Sequence, residues 1–121
     1  MILVDTSVWI DHLNKGDADL VELLSKGLVL MHPFVIGEIA LGNLRQRASI
    51  FSHLNDLPLA SAASEEEVLT FVEAARLHGT GIGYVDAHLL AAAKLNGAAL
   101  WTRDTRLLKQ AERLKLAFTS K

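Results

Sequence analysis

The chain contains no cysteine, which excludes disulfides, zinc–thiolate centres and cysteine nucleophiles and is compatible with a reducing compartment. It also lacks any apolar stretch near the roughly 20 residues of a membrane span. The opening apolar run, residues 1–4, is interrupted by Asp5 and has no basic leader, so a secretory signal is not expected. No linker, repeat or low-complexity segment divides the sequence. One soluble, cytoplasmic domain covering 1–121, without membrane association, is the expectation. What the chain has in surplus is apolar character, with 50% hydrophobic residues and a mean hydropathy of +0.27. For a small soluble domain that surplus points to a covered face, and a homodimer or a stable partner is expected.

Net charge is −2, but it is unevenly placed. Residues 1–102 carry six Lys and Arg against twelve Asp and Glu. Residues 103–121 carry six against two, through Arg103, Arg106, Lys109, Arg113, Lys115 and Lys121. Cations beside an acidic region suit a nuclease, the cations holding a phosphate backbone and the acids holding metal. A solvated amphipathic helix accounts equally for the same tail.

Strands and helices alternate along the sequence. Residues 1–4 read as a central strand buried on both faces, followed by a helix through about Asn14 that Thr6 or Ser7 can cap. A helix from Asp17 is stopped by Gly27, and 28–31 is the next strand. Pro33 suits the first turn of a third helix, and a fourth runs near 46–56. A short strand is read at 59–61, then a helix opened by the Ser64–Glu67 capping box and ending near His78. A helix at 84–96, a strand at 98–102, a helix at 105–115 and a short strand at 116–119 complete the order. Continuous apolar strands alternating with helices predict an α/β fold, a three-layer α/β/α sandwich around a mostly parallel sheet of four to five strands. Sites in such sheets gather at the carboxyl ends of the strands.

Ten of the fourteen acids have plain explanations. Asp11 can pair with Lys15, Glu22 with Lys26 and Glu73 with Arg76 at helical spacing, and Glu112 lies between Lys109 and Lys115. Asp17, Asp19, Glu65, Glu66 and Glu67 favour helix starts, and Asp56 sits in a turn. Four do not fit this pattern. Asp5 ends the first strand, Glu38 lies mid-helix among Phe34, Val35, Leu41 and Gly42, Asp86 opens an apolar helix, and Asp104 follows Trp101-Thr102-Arg103. Neither Glu38 nor Asp86 has a helical cation to pair with. Acids withdrawn from water without such partners are costly, and a shared divalent cation stabilises them. Oxygen donors without His or Cys favour Mg2+ or Mn2+ over zinc.

The pattern Val4-Asp5-Thr6-Ser7, Gly37-Glu38-Ile39, Asp86-Ala87-x-Leu89-x-Ala91-Ala92-Ala93 and Thr102-Arg103-Asp104 resembles the PIN-domain ribonucleases. More narrowly it resembles the VapC toxins of toxin–antitoxin pairs, over the whole chain in length and element order. The resemblance implies that Asp5, Glu38, Asp86 and Asp104 form an acidic cluster binding Mg2+ or Mn2+, with Thr6 and Thr102 supporting it through their hydroxyls. It implies cleavage of RNA phosphodiester bonds, a homodimer, and inhibition by a small cognate antitoxin whose C-terminal segment crosses the site. Thr105 and Arg106 follow Asp104 where many relatives carry a further acid or polar ligand, which leaves the count of one metal or two open.

Other readings are weaker. A dehalogenase-type phosphatase needs D-x-D after the first strand, whereas Asp5-Thr6-Ser7 stands there. A phosphoacceptor receiver domain needs adjacent acids at the same place. A catalytically silent binding module on the same scaffold is disfavoured because no cluster position has been replaced. Gly79-Thr80-Gly81-Ile82-Gly83 does not match G-x-G-x-x-G and reads as a turn. His12, His32, His53, His78 and His88 show no ligand spacing and are read as surface or core residues, and Trp9 and Trp101 as core. Arg103, Arg106 and Lys109 are candidate RNA-phosphate contacts, with a salt-bridge role the alternative for the two arginines.

Overall fold

The computed structural model describes residues 1–119, so Lys121 of the basic segment lies outside the described residues. Strand β1 (Ile2–Val4) is central and pairs in parallel with β2 (Val29–Leu30) on one side and β3 (Ala99–Trp101) on the other. Leu3 aligns with Leu30 and with Leu100, and all of Leu3, Val4 and Leu100 are fully buried. That burial explains the unbroken apolar runs, since a parallel sheet is covered on both faces.

Two outer segments extend the sheet by single parallel bridges, Met31 with Leu59 and Leu100 with Ala117. Of the four to five strands expected, three form ladders among the described residues. The segment at 59–61 stays a bridge because the ladder runs out of donors. Met31 N–H reaches Pro58 C=O and Ala60 N–H reaches Met31 C=O at 2.8 Å each, but the next donor in register would be Pro33, which has no N–H and opens a helix.

Among the described residues, seven helices connect these strands: α1 (Thr6–Lys15), α2 (Ala18–Ser25), α3 (Pro33–Ala40), α4 (Arg47–Asn55), α5 (Glu65–Ala74), α6 (Tyr84–Leu95) and α7 (Thr105–Arg113). The right-handed crossovers general to parallel sheets predict the helices before Leu59 on one face and the later ones on the other. Packing agrees. Trp9 of α1, Leu24 of α2, and Ile50 and Leu54 of α4 line one groove. Phe71 of α5, Lys94 of α6 and Leu114 after α7 line another. Helix α6 lies across β1 and β3, with Leu89, Leu90, Ala92 and Ala93 fully buried; the alanines let it approach closely. Among the described residues no helix is long and apolar enough to cross a membrane.

Helix ends depart from the sequence reading at two places. Helix α5 stops at Ala74, well before His78, because Arg76 turns left-handed (φ 54°) and Leu77 N–H bonds back to Val72 C=O at 2.9 Å. Helix α7 stops at Arg113 in the same way, with Lys115 at φ 59° and Leu116 N–H on Ala111 C=O at 2.8 Å. Both are Schellman-type ends built without the usual glycine.

Candidate metal centre

Because the strands are parallel, β1 and β3 deliver their following residues to one edge of the sheet. Asp5 N–H donates to Trp101 C=O at 2.9 Å, continuing the ladder one step, and Asp5 is 6% exposed. Asp5 itself caps α1, displacing the expected Thr6 or Ser7: its Oδ1 accepts from Thr6 N–H at 2.8 Å. Its Oδ2 accepts from Ser7 Oγ at 2.9 Å and from Thr102 Oγ1 at 2.7 Å. Asp104 caps α7, its Oδ1 accepting from Arg106 and Leu107 N–H at 3.0 Å each, while its own N–H donates to Thr102 Oγ1 at 3.1 Å. Asp86, in the first turn of α6, accepts from Gly83 N–H through Oδ2 at 2.9 Å. Glu38 comes from α3 and accepts from Thr6 Oγ1 through Oε1 at 2.7 Å. Thr6 thus joins Asp5 to Glu38, and Thr102 joins Asp5 to Asp104.

Asp5 is buried and Asp86 half-buried, whereas Glu38 and Asp104 are exposed, so the expectation of withdrawal from water holds for two of the four. Asp86 feels the other three. Burial pushes the Asp86 carboxyl above its ordinary range against the Gly83 hydrogen bond, and the charges of Asp5, Asp104 and Glu38 raise it further. Among the described residues no lysine or arginine forms an ion pair with any of the four. Glu38 Oε2, Asp86 Oδ1 and Asp104 Oδ2 have no hydrogen-bond partner among the described residues, so each of these acids is anchored through one oxygen and free at the other.

The described residues do not form a closed group of three or more His, Cys, Asp or Glu side chains ready to hold an ion. The donor set nonetheless fits a hard divalent cation, being all oxygen, anionic and uncompensated.

Ser7 is a supporting residue that the sequence reading treated only as a cap. Its hydroxyl touches Asp5, lies 3.4 Å from Thr102 Oγ1, and accepts from Arg103 N–H at 3.0 Å. The signal in the sequence was its place two residues after a strand-end Asp.

Arg103 takes the salt-bridge alternative. Its guanidinium donates to Asp11 Oδ2 at 2.7 Å and to Asp17 Oδ2, and lies 5.5 Å from the Trp101 ring centroid. Asp11 therefore pairs with Arg103 and not with Lys15. Glu22–Lys26 forms at 3.8 Å, whereas Glu73–Arg76 does not, since Arg76 lies beyond the helix end.

Arg106 makes no ion pair among the described residues, and its side chain lies along the bare backbone of Gly81, where a Cβ would come within 3.2 Å of Cδ. Gly81 has φ +87°, and Gly83 N–H bonds Asp86, so the glycine segment is a turn that serves the acid site. Lys109 is exposed on α7.

The tryptophans are core residues, Trp9 2% and Trp101 6% exposed. His32 and His88 are buried as well. His32 Nδ1 accepts from Phe34 N–H at 3.0 Å and caps α3. His88 meets the edges of Phe34 and Tyr84 at 4.7 and 4.6 Å between centroids.

This parallel sheet, with its four acids gathered at one edge, has clear relatives. The sequence profile of the PIN domain matches residues 2–113, and the chain belongs to the PIN-domain family. It is 51% identical over 108 residues to Ribonuclease VapC32 of Mycobacterium tuberculosis, covering 88% of this chain and 87% of that protein. Among solved structures it is similar to FitAcB from Neisseria gonorrhoeae, with a TM-score of 0.63 and 22% identity across 93% of this chain and 94% of the other. PAE2754 from Pyrobaculum aerophilum matches with a TM-score of 0.59 and 20% identity across 93% of this chain and 85% of the other. At those identities the structural likeness carries the fold.

Proposed function

We propose that this protein is a divalent-metal-dependent ribonuclease and the toxin of a toxin–antitoxin pair, acting in the cytoplasm. The observation that carries the reading is the set of four carboxylates, Asp5, Glu38, Asp86 and Asp104, brought to one sheet edge without a compensating cation among the described residues. The 51% identity to Ribonuclease VapC32 supports RNA as the substrate and a VapC-type role.

The four acids would hold Mg2+ or Mn2+, which supplies charge neutralisation at the scissile phosphate and a more acidic attacking water. The protein's own groups do the rest. Thr6, Ser7 and Thr102 fix the rotamers of Asp5 and Glu38 through hydroxyl donors. Glu38 Oε2, Asp86 Oδ1 and Asp104 Oδ2 are free to ligate or to accept a proton from water. Arg106, beside Gly81, and exposed Lys109 supply cations for the RNA backbone next to the acids.

A small antitoxin would inhibit by laying a basic segment over the acids. Exposed apolar residues such as Leu41 (89%), Leu59 (59%) and Val21 (52%) support a surface covered by such a partner or by a second copy in a homodimer. The test is RNA cleavage by the purified protein with Mg2+ or Mn2+. Cleavage should be abolished by EDTA and by Asp86→Ala; metal-independent cleavage, or full activity in Asp86→Ala, would defeat the reading.

A further inference from the structure

Arg103 stands in sequence between two residues of the acid site, Thr102 and Asp104, yet its charge is engaged elsewhere. Nη1 donates to Asp11 Oδ2 at 2.7 Å and Nη2 to Asp17 Oδ2. Asp17 is in turn fixed as the cap of α2, accepting from Leu20 N–H at 3.0 Å. The Arg103 backbone N–H donates to Ser7 Oγ, which also bonds Asp5. One residue therefore ties the β3–α7 turn to the first turn of α1, to Asp11 farther along α1, and to the start of α2. Asp5 and Asp104 flank that tie, and the turn between them, residues 102–104, belongs to no helix or strand.

We propose that Arg103, held by Asp11, Asp17 and Ser7, is a positioning strap that fixes the separation of Asp5 from Asp104, and is not a contact to the RNA backbone. The inference rests on the metal reading above. The trio Arg103, Asp11 and Asp17 carries a net negative charge, so it offers a phosphate no attraction. Without the guanidinium pairs the turn would be tied to the start of α1, among the described residues, only by the Arg103 N–H on Ser7 and the Thr102 hydroxyl on Asp5. Such slack matters for a small divalent cation, because Mg2+ demands near-ideal geometry. Groups bonded directly to metal ligands typically contribute about 10- to 100-fold in metal affinity. The Arg103 guanidinium acts one step farther out, so its effect is smaller.

Mn2+ titration followed by calorimetry or electron paramagnetic resonance, on the full chain, tests the strap without relying on activity. Arg103→Ala and Asp11→Asn should each weaken Mn2+ binding by about 2- to 5-fold, the scale that partly exposed ion pairs can transmit, with Arg103→Lys intermediate. The KM for RNA at saturating Mn2+, and the salt dependence of RNA binding, should stay as in the wild type. A phosphate contact gives the opposite pattern. Arg103→Ala would then raise KM and lower the salt slope by about one phosphate, and Asp11→Asn, by freeing the guanidinium, would tighten RNA binding with Mn2+ affinity unchanged. Asp11→Asn removes a charge and no helix cap, so it carries the test should Arg103→Ala fail to fold. Wild-type protein that binds no Mn2+ overturns the metal reading and the strap with it. Wild-type binding left unaltered in both variants overturns the strap alone.

Discussion

Two groups of carboxylates in this molecule perform the same local job and differ in charge balance. Asp17 caps α2, and its second oxygen meets Arg103, with Asp11 on the other side of the guanidinium. Arg103 holds the Asp17 carboxyl below its ordinary range, first by a hydrogen bond and also by charge, and the Leu20 N–H adds to it. Asp5 and Asp104 cap α1 and α7 equally well, and Asp86 bonds the entry to α6, yet no cation among the described residues answers them. Capping therefore explains where Asp5, Asp17 and Asp104 are, and it does not separate structure from function. Compensation does: a few residues away the fold sets an arginine between two acids, and at the sheet edge it leaves four acids unpaired among the described residues. An uncompensated set of acids beside a basic segment is what the proposed metal site requires.

The largest effect should come from replacing an uncompensated acid. Asp5→Asn keeps a capping oxygen, so the fold should survive while RNA cleavage drops by about 100-fold or more, since even groups that only orient a metal ligand are worth about 10- to 100-fold. Cleavage retained within a few-fold would place Asp5 with the structural caps.

Next is His32, a buried group kept neutral by the fold. Burial, and then the neighbouring His88, brings its pKa from 6.5 down to about 4. The unfolded chain takes up the proton first, so stability is intact above pH 6.5 and is lost as pH falls through about 4. At a pH of about 4 the loss should reach roughly 3 kcal/mol. His32→Asn, which keeps an acceptor for Phe34 N–H, should flatten the fall in melting temperature between pH 6.5 and about 4; an unchanged acid limb would contradict this.

Smaller again is the compensated side. Asp17→Ala removes a cap and an ion-pair partner and should cost about 1–2 kcal/mol in urea unfolding. A neutral result would mean that the Arg103 pair adds nothing. The smallest effect belongs to Arg106→Ala, which should raise the KM for RNA a few-fold and lower the salt slope by about one, with Mn2+ affinity unaltered.

The candidate acid site was read from acids expected to be withdrawn from water. That premise holds for Asp5, which is buried, and Asp86, which is half-buried, but not for Glu38 and Asp104, which are exposed. Glu38 and Asp86 lie among apolar helical neighbours, and strand ends fix Asp5 and Asp104. The parallel sheet followed from unbroken apolar strands such as residues 1–4. Arg103 was not legible, because its partners Asp11 and Asp17 lie 92 and 86 residues away in sequence, beyond any helical spacing argument. Helix α5 was read too long because its end depends on a left-handed arginine, a conformation that residue type does not announce. The capping role of Asp5 was hidden by two further capping residues standing directly after it.

The central claim, that repulsion among uncompensated acids is held in the fold and relieved by a divalent cation, meets its most direct test in the melting temperature of wild type and Asp86→Asn with and without Mn2+. The Asp86→Asn side chain would keep an oxygen for Gly83 N–H and lose the charge that burial and its neighbours disfavour. The substitution should therefore raise the metal-free melting temperature at neutral pH by a few degrees, about what 1 kcal/mol produces in a chain of this size. Mn2+ should raise the wild-type value clearly and the Asp86→Asn value little. If both proteins melt together without metal and respond alike to Mn2+, the four acids are not a shared cation site.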